Sequence, residues 1–207
     1  MGATPDGLTG FVRGLTGSSP RVWMGSLILA VLTLGAGRVV GAEQSSAAEY
    51  EVKAAYVFNF ANFVTWPASA FASPTAPIVI GITGDSPIEG PLLSAIEGEA
   101  IDGRSLVVRR VARPDEMKEC HIIFVGANES RQPVRALTEL RYAPLLTVGE
   151  AQDFLSSGGM IRFVVASNNK VGFDVNLDAT SKAGLKPNAR LLKVARRVFG
   201  NITEPGR

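Results

Sequence analysis

Short apolar segments of strand length alternate with helical segments through the middle of the chain. The apolar segments cover residues 77–83, 106–111, 121–125 and 145–148. Patterns typical of helices follow them at residues 86–98, 114–118, 130–140 and 150–156. Strands that alternate with helices pair in parallel through right-handed crossovers, with the helices packed on the sheet. The pattern therefore predicts an α/β fold in a single domain, with a mixed, mostly parallel sheet flanked by helices.

The last third of the chain departs from this alternation. Two strands are predicted at residues 160–166 and 171–175, and only Ser167-Asn168-Asn169-Lys170 separates them. Asparagine tolerates the left-handed backbone that a tight hairpin needs, so the two strands are expected to pair antiparallel. We expect this late antiparallel hairpin to lie at an edge of the sheet. Two further helices are predicted after it, at residues 178–183 and 187–199.

The first 42 residues have the features of a secretory signal peptide. Arg13 and Arg21 precede an apolar stretch at residues 22–37, which is shorter than the roughly 20 residues that a membrane-spanning helix needs. Small residues then lead to Val40-Gly41-Ala42, and polar residues follow. We expect export with cleavage after Ala42, which leaves residues 43–207 as a single domain. An uncleaved membrane anchor is the alternative.

The charge balance of residues 43–207 argues against nucleic acid as a partner. Residues 1–42 hold three of the 21 basic and one of the 19 acidic residues, which leaves 18 of each. A domain without net charge lacks the general attraction to phosphates on which nucleic-acid binding depends. We therefore expect no nucleic-acid partner.

The chain is poor in the residue types that carry catalysis. It has one cysteine, Cys120, and one histidine, His121, which excludes an internal disulfide and a cysteine-rich metal site. Residues 84–86 (Gly-Asp-Ser) are similar to a nucleophile motif, but Lys118 stands where a partner aspartate of His121 is usual, and a serine without a base reacts poorly. The same segment predicts Ser86 as a helix N-cap, with Glu89 completing a capping box. We expect no enzyme activity, no catalytic residue, no cofactor and no metal.

Aromatic side chains concentrate in the first helix of the domain, predicted at residues 47–65. Within 17 residues the chain places Tyr50, Tyr56, Phe58, Phe60, Phe63 and Trp66. Apolar side chains go nearly all round this helix, so it is either buried on all sides or buries one side in a partner. Both interpretations stay open. The candidate contacts for a partner or ligand are Tyr56, Asn59, Phe63 and Trp66.

Several of these segments together resemble the YfiR/HmsC-like family of small bacterial proteins. Lys53-Ala54-Ala55-Tyr56, Asn59-Phe60 and Trp66-Pro67 match the opening of that family. Leu146-Thr147-Val148, Phe154 and Gly158-Gly159 are similar to its second signature, and Asn176 and Leu191-Leu192 to its carboxyl-terminal part. The resemblance covers about residues 48–198 of this chain.

The resemblance implies a function that composition and spacing do not show. Family members are periplasmic regulators, not enzymes, and they bind the periplasmic sensor region of an inner-membrane diguanylate cyclase. Binding inhibits the cyclase, which lowers cyclic di-GMP and biofilm formation, and an outer-membrane lipoprotein can sequester the regulator. The resemblance thus implies a periplasmic location and these two partners, while a homodimer stays open.

The resemblance also implies structural roles for most of the residues that carry it, namely Lys53, Phe60, Pro67, Gly158, Gly159, Asn176, Leu191 and Leu192. Better-known members carry several cysteines that pair as disulfides, whereas this chain has Cys120 alone. The alternative function is a periplasmic small-molecule sensor without a cyclase partner. Its pocket would lie at the carboxyl ends of the parallel strands, near residues 84–85 and 126–128.

Overall fold

The structure is a computed structural model that describes residues 39–84, 86–127 and 139–200. Most of the predicted signal peptide, and most of the helix predicted at residues 130–140, lie outside the described residues. Residues from Ala42 onward form one compact unit. Within the described ranges, no helix is both long enough and apolar enough to cross a membrane.

The described chain begins with a long helix and then forms strands and short helices in turn. Helix α1 (Val39–Phe63) is followed by a two-residue strand, β1 (Val64–Thr65), and by one 3₁₀ turn at Ala68–Ala70. The next elements are β2 (Ile78–Thr83), α2 (Glu89–Ile96), β3 (Ala100–Ile101), β4 (Arg104–Val111), α3 (Pro114–Met117) and β5 (Ile122–Val125). The later elements are β6 (Leu146–Gly149), β7 (Ile161–Val165), β8 (Val171–Asn176), α4 (Leu177–Lys182), β9 (Lys186–Pro187), α5 (Ala189–Val194) and β10 (Arg197–Phe199).

Helix α1 contains most of the helix predicted at residues 47–65, since residues 42–66 contain neither glycine nor proline, but it begins eight residues before the predicted start, at Val39. It ends two residues before the predicted end. Val64 and Thr65 instead pair with Pro187 and Lys186 of β9, in a small antiparallel sheet of their own. A long-range strand contact therefore sets the end of this helix.

Eight strands form the main sheet, in the order β10-β8-β7-β6-β5-β2-β4-β3. Neighbouring strands are parallel except at β7–β8 and β3–β4, which are antiparallel. This confirms the predicted mixed, mostly parallel α/β sheet. Strand β2 lies between β4 and β5, so the chain leaves β2 toward one side and later returns to the other. The carboxyl ends of β2 and β5 therefore form a topological switch point, where such sheets leave a crevice.

The late hairpin is present, with Asn169 in the left-handed region at φ 60°, but its predicted place at the sheet edge is wrong. Strand β10 pairs in parallel with β8 on the outer side of the hairpin. The helix predicted at residues 187–199 ends at Val194 for the same reason. The amide of Arg196 donates to the Phe173 carbonyl oxygen at 2.8 Å, so sheet pairing replaces the last helical turns.

Two other predicted helices differ in the structure. Residues 152–158 form consecutive turns rather than a helix, and the Phe154 ring packs closely against Gly149 and Gly159. Helix α2 begins at Glu89 with Ile88 as its N-cap, so the predicted N-cap role of Ser86 is wrong. The Ser86 hydroxyl oxygen accepts a hydrogen bond from the Ile88 amide at 3.4 Å, which closes a turn just before the helix.

The sheet separates two apolar cores. The larger core joins one face of the sheet to α1, α2, α4 and α5, and it contains alternate residues of β2 such as Ile78, Ile80 and Ile82. The smaller core lies on the other face and includes Met117 of α3, Ile123 of β5 and Phe154. Because α1 packs in the larger core, one of its faces is inside the domain and the opposite face is available to solvent.

Candidate functional site

The inner face of α1 accounts for much of its apolar composition. Its buried residues recur at helical spacing and are Lys53, Ala54, Val57, Phe60 and Ala61. Phe60 is fully buried and stacks edge-on against Phe173 of β8, with ring centroids 4.9 Å apart. The helix is therefore buried on one face within the domain, so burial on all sides is wrong, and contact of the other face with a partner stays a prediction.

A second row of side chains runs along α1 toward solvent. Val52, Tyr56, Asn59 and Phe63 are spaced by four, three and four residues, so they line one side of the helix. We call these four residues the α1 strip. Val52 is 44% exposed, and the other three are half-buried. The strip holds three of the four residues that the sequence singled out as contact candidates.

Within the α1 strip, Tyr56 and Asn59 already make contacts inside the domain. The Tyr56 ring packs against Phe173 at 5.2 Å between centroids and against Phe163 at 6.1 Å. The Asn59 side-chain amide donates to the Ala55 carbonyl oxygen at 2.8 Å. Each of these side chains keeps a partly exposed edge while its position is held by the helix and the sheet.

Trp66, the fourth candidate, lies apart from the strip at the amino ends of β2 and β5. Its ring meets His121 edge-on at 6.5 Å, and its buried indole N–H has no hydrogen-bond partner in the described part of the chain. His121 Nδ1 accepts from the Val79 amide at 3.1 Å, and Nε2 lies 3.1 Å from the Ala70 carbonyl oxygen. These contacts assign the proton to Nε2 in a neutral ring. Burial lowers the pKa of His121, and the charge of Arg104 adds to this effect.

Ser86 and His121 lie at opposite ends of the sheet and cannot act as a nucleophile and its base. Ser86 follows the carboxyl end of β2, whereas His121 is bound to Val79 near the amino end of that strand. Four residues of extended chain separate Val79 from Thr83, which corresponds to about 13 Å. A general base must lie within hydrogen-bond reach of the hydroxyl that it activates.

A buried group of charged side chains joins α1 to the carboxyl end of β6. Lys53 Nζ forms ion pairs with both Glu49 and Glu150, and the side chains of Lys53 and Glu150 are only 4% and 6% exposed. The Tyr50 hydroxyl donates to Glu150 Oε2 at 3.5 Å, and the Ala127 amide donates to the same oxygen at 2.9 Å. We call Glu49, Tyr50, Lys53 and Glu150 the Lys53–Glu150 cluster.

The environment of this cluster keeps Lys53 charged and Tyr50 neutral. Burial alone lowers the pKa of Lys53, but its hydrogen bonds to Glu150 and Glu49 outweigh burial, and the pKa is raised. Burial raises the pKa of the Tyr50 phenol, and the negative charge of Glu150 raises it further. Sequence reasoning assigned Lys53 a structural role but missed Glu150, which is 97 residues away. One sequence feature could have indicated Glu150: it follows a predicted buried strand, whose carboxyl end should lie near the crevice.

The cluster occupies the switch-point crevice with the chain's own groups. The Ala127 amide follows β5, at the position where such folds bind an anionic ligand, and here it binds the Glu150 carboxylate. At residues 126–127, where the sensor interpretation expected a pocket, the Ala127 amide is thus bound by a carboxylate of the chain itself. Among the described residues, no group of three or more His, Cys, Asp or Glu side chains could hold a metal ion.

The remaining residues predicted to be structural lie at turns, caps and the core. Gly158 has φ 96°, which favours glycine, and a Cβ on Gly159 would lie 2.3 Å from the Phe154 ring. Asn176 is the N-cap of α4, where its Oδ1 accepts from the Ala179 amide at 3.0 Å. Pro67 is the N-cap of the 3₁₀ turn; Leu191 is buried, and Leu192 packs partly buried beside it.

Two cavities of about 330 Å³ each are present among the described residues. One lies at the amino ends of the strands, and its lining includes Val79, Cys120, His121 and Leu145. Cys120 is buried there, and burial raises the pKa of its thiol. The other lies beside β8 and β10, and its lining includes Arg162, Asn176 and Phe199. Neither cavity contains a residue of the α1 strip.

The fold and these sites define a small mixed α/β protein in which the buried Lys53–Glu150 cluster and the His121 ring hold elements together. A sequence model described as YfiR/HmsC-like matches residues 50–196, which is most of the chain. The chain belongs to the YfiR/HmsC-like family. Proteins of this family are periplasmic and regulatory rather than enzymatic, and the family is linked to diguanylate cyclase signalling and to partners in that signalling.

Solved structures show only a partial likeness. An ABC domain from Streptococcus pneumoniae, crystallised in complex with L-Trp, matches with a TM-score of 0.41 and 12% identity over 59% of this chain and 55% of that one. A conserved domain protein from Vibrio cholerae matches with a TM-score of 0.41 and 10% identity over 58% of this chain and 54% of that one. The chain thus spans about half the length of these structures, and a likeness of this size says nothing about its function.

Proposed function

We propose that this protein binds the periplasmic region of an inner-membrane diguanylate cyclase and holds the cyclase inactive. The observation that carries the proposal is the family match over residues 50–196. Inhibition lowers cyclic di-GMP and, with it, biofilm formation. An outer-membrane lipoprotein that sequesters the protein would release the cyclase. Residues 1–42 would direct export and be removed after Ala42.

Inhibition of this kind requires different affinities for two states of the cyclase. A protein that binds the active and inactive states equally shifts nothing, however tightly it binds. The bound protein must therefore contact a surface that the cyclase presents only when inactive. The α1 strip suits such a contact, because Tyr56 and Phe63 are half-exposed aromatics on a rigid helix. Their positions are held before binding, so little side-chain freedom is lost on docking.

The test of export and inhibition is cyclic di-GMP in living cells. The measurement compares cells that lack the gene, cells with the gene restored, and cells with the gene restored without residues 1–42. We expect cyclic di-GMP to rise on deletion and to return to its original level only with the exported form. An unchanged level on deletion would contradict inhibition, and full rescue without residues 1–42 would contradict action in the periplasm.

The test of the α1 strip uses two valines of nearly equal exposure. Val52 of the strip is 44% exposed, and Val107 of β4 is 42% exposed. We expect Val52→Glu to raise cyclic di-GMP as deletion does, because it places a charge in the apolar interface. Val107→Glu should leave inhibition intact. Equal behaviour of the two variants, with both proteins folded, would remove the strip from the interface.

A second candidate function is a small-molecule sensor, favoured by the two cavities. Their volume of about 330 Å³ each lies at the lower end of the range for ligand pockets. A metabolite that binds the native state but not the unfolded chain raises the melting temperature, and the rise grows with the logarithm of its concentration above the dissociation constant. A thermal-shift screen of small periplasmic metabolites tests this function. A screen without any stabilising compound, together with a cyclic di-GMP rise on deletion, would leave inhibition as the sole function.

A further inference from the structure

Positive charge is concentrated in one connection of the fold. Residues 177–200 carry the chain from the end of β8 through α4, β9 and α5 to β10, and they contain a single acidic residue, Asp178. The same residues contain six basic side chains, all of them exposed: Lys182, Lys186, Arg190, Lys193, Arg196 and Arg197. We call this set the basic crossover.

The basic crossover differs from the rest of the described chain in how its charges are paired. Arg196 lies 3.9 Å from Asp174, but none of the other five cations forms an ion pair with a described residue. In the rest of the described chain, most Lys and Arg side chains form an ion pair with a carboxylate. They are Lys53, Arg109, Arg110, Arg113, Lys118 and Arg162. The connection therefore presents uncompensated positive charge although residues 43–207 have no net charge.

The same connection also carries exposed apolar side chains. Val194 of α5 is 59% exposed, and Val198 and Phe199 of β10 are 40% and 44% exposed. Lys193 precedes Val194 directly, and Arg197 precedes Val198. A surface that combines basic residues with a few apolar side chains is typical of proteins that lie on a lipid bilayer.

We infer that the basic crossover binds the anionic phospholipid headgroups of a membrane surface. Each Lys or Arg near such a surface strengthens binding about fivefold, and the charges need no fixed arrangement relative to one another. The five cations that form no ion pair with a described residue are spread over α4, β9, α5 and β10, and none lines either cavity. This spread favours a lipid surface over an acidic protein, which would pair with cations at matched positions. The inference does not rest on inhibition of a cyclase.

The experiment measures co-sedimentation of the protein, purified as the cell processes it, with lipid vesicles. One set contains equal parts phosphatidylglycerol and phosphatidylcholine, and the other contains phosphatidylcholine alone. We expect binding to the first set only. Binding should disappear when salt rises from about 0.1 M to about 1 M, because the Debye length falls from about 10 Å to about 3 Å.

Two variants that remove the same charge locate the binding surface. The test variant combines Lys182→Gln, Lys186→Gln, Arg190→Gln and Lys193→Gln. The control variant combines Arg113→Gln, Lys118→Gln, Arg141→Gln and Lys170→Gln, which are exposed cations outside the crossover. At about fivefold per charge, the test variant should lose detectable binding, whereas the control variant should still sediment with the vesicles.

Several outcomes would overturn the inference. These are no binding of the unaltered protein to phosphatidylglycerol at low salt, equal binding to phosphatidylcholine, or an equal loss in the two folded variants. Melting temperatures of both variants establish that they are folded. Binding to poly-glutamate without binding to phosphatidylglycerol vesicles would assign the surface to an acidic protein instead. Cyclic di-GMP control can fail or hold independently of each of these results.

Discussion

The two ends of the parallel strands are held by different chemistry. At the carboxyl ends, α1 is attached through the Lys53–Glu150 cluster, in which the two buried charges neutralise each other. At the amino ends, residues 66–76 are attached through the neutral His121 ring, which stacks on Phe71 at 4.5 Å. Arg104 adds hydrogen bonds to the carbonyl oxygens of Ser73 and Ala76 there, without a buried carboxylate partner in the described chain.

This difference predicts which kind of change destabilises each end of the sheet. A buried ion pair is strongly destabilised when one partner is lost, because the other charge stays in a low-dielectric site. A neutral ring with two hydrogen bonds loses only those bonds, but its acceptor nitrogen is lost when the ring takes up a proton. The carboxyl end should therefore be sensitive to substitution, and the amino end to acid.

The largest effect is expected for Lys53→Met. The substitution leaves Glu150 buried without its cation, which should lower the free energy of unfolding by about 3–5 kcal/mol. Lys118→Met is the matched control, because Lys118 pairs with Asp115 at the surface and should cost less than about 1 kcal/mol. Urea unfolding measures both. Equal losses would contradict the importance of burial, and adding Glu150→Gln to Lys53→Met should recover part of the stability.

A smaller effect is expected for Gly159→Ala, in the turn that leads into β7. A Cβ at this position would lie 2.3 Å from the Phe154 ring and 2.7 Å from the Phe154 carbonyl oxygen. Overpacking of this kind should cost about 1–3 kcal/mol. Gly90→Ala in α2 is the control, since nothing lies within 4 Å of its added Cβ. If thermal melting shows the same change in both variants, the close approach to Phe154 is not a constraint.

Asn176→Ala should lower the free energy of unfolding by about 1 kcal/mol, because it removes the N-cap of α4. Asn188→Ala removes the corresponding cap of α5, where Oδ1 accepts from the Leu191 amide at 3.0 Å. Asn176 also donates to the Leu155 carbonyl oxygen in the turns after β6, at a long 3.5 Å. We expect similar losses in the two variants by urea unfolding. A much larger loss of unfolding free energy for Asn176→Ala than for Asn188→Ala would show that the contact with Leu155 also stabilises the fold.

The smallest effect is the acid sensitivity of the amino end. Burial lowers the pKa of His121, so the unfolded chain takes up a proton at a higher pH than the folded chain does. Stability from the neutral ring is complete above the ordinary histidine pKa of about 6.5 and is lost as the pH falls below it. Urea unfolding at about pH 8 and at about pH 5, on either side of the ordinary histidine pKa, measures this loss. His121→Gln should flatten the dependence, and an unchanged slope would assign the acid sensitivity to other groups.

Six of the ten strands of the described chain could be predicted because each depends on local residues, whereas the short strands β1, β3, β9 and β10 could not. Apolar runs separated by turn-forming residues identify β2, β4, β5 and β6, and the short Asn-containing loop identifies the hairpin. The predicted helix at residues 150–156 failed because the Phe154 ring fills the space between Gly149 and Gly159. That packing involves a strand end and a turn, and no local pattern reports it.

The candidate site also has a part that local sequence predicts and a part that it does not. Helical spacing alone brings Tyr56, Asn59 and Phe63 to one side of α1, so that part of the site could be read from the sequence. Trp66 was grouped with them because it is near in sequence, yet it packs on His121 at the amino ends of the strands. The turn after α1 separates it from the strip.

The sequence by itself determined the α/β class, the aromatic helix and the hairpin, because these follow from residue type and short spacing. Only the tertiary structure decided that Lys53 meets Glu150, that β10 replaces the end of a predicted helix, and that the cations of one crossover form few ion pairs with the described residues. The physical reason is that burial, ion pairing and strand pairing depend on distances between residues far apart in the chain. Such distances are set when the whole sheet assembles, and not by the local preference of any segment.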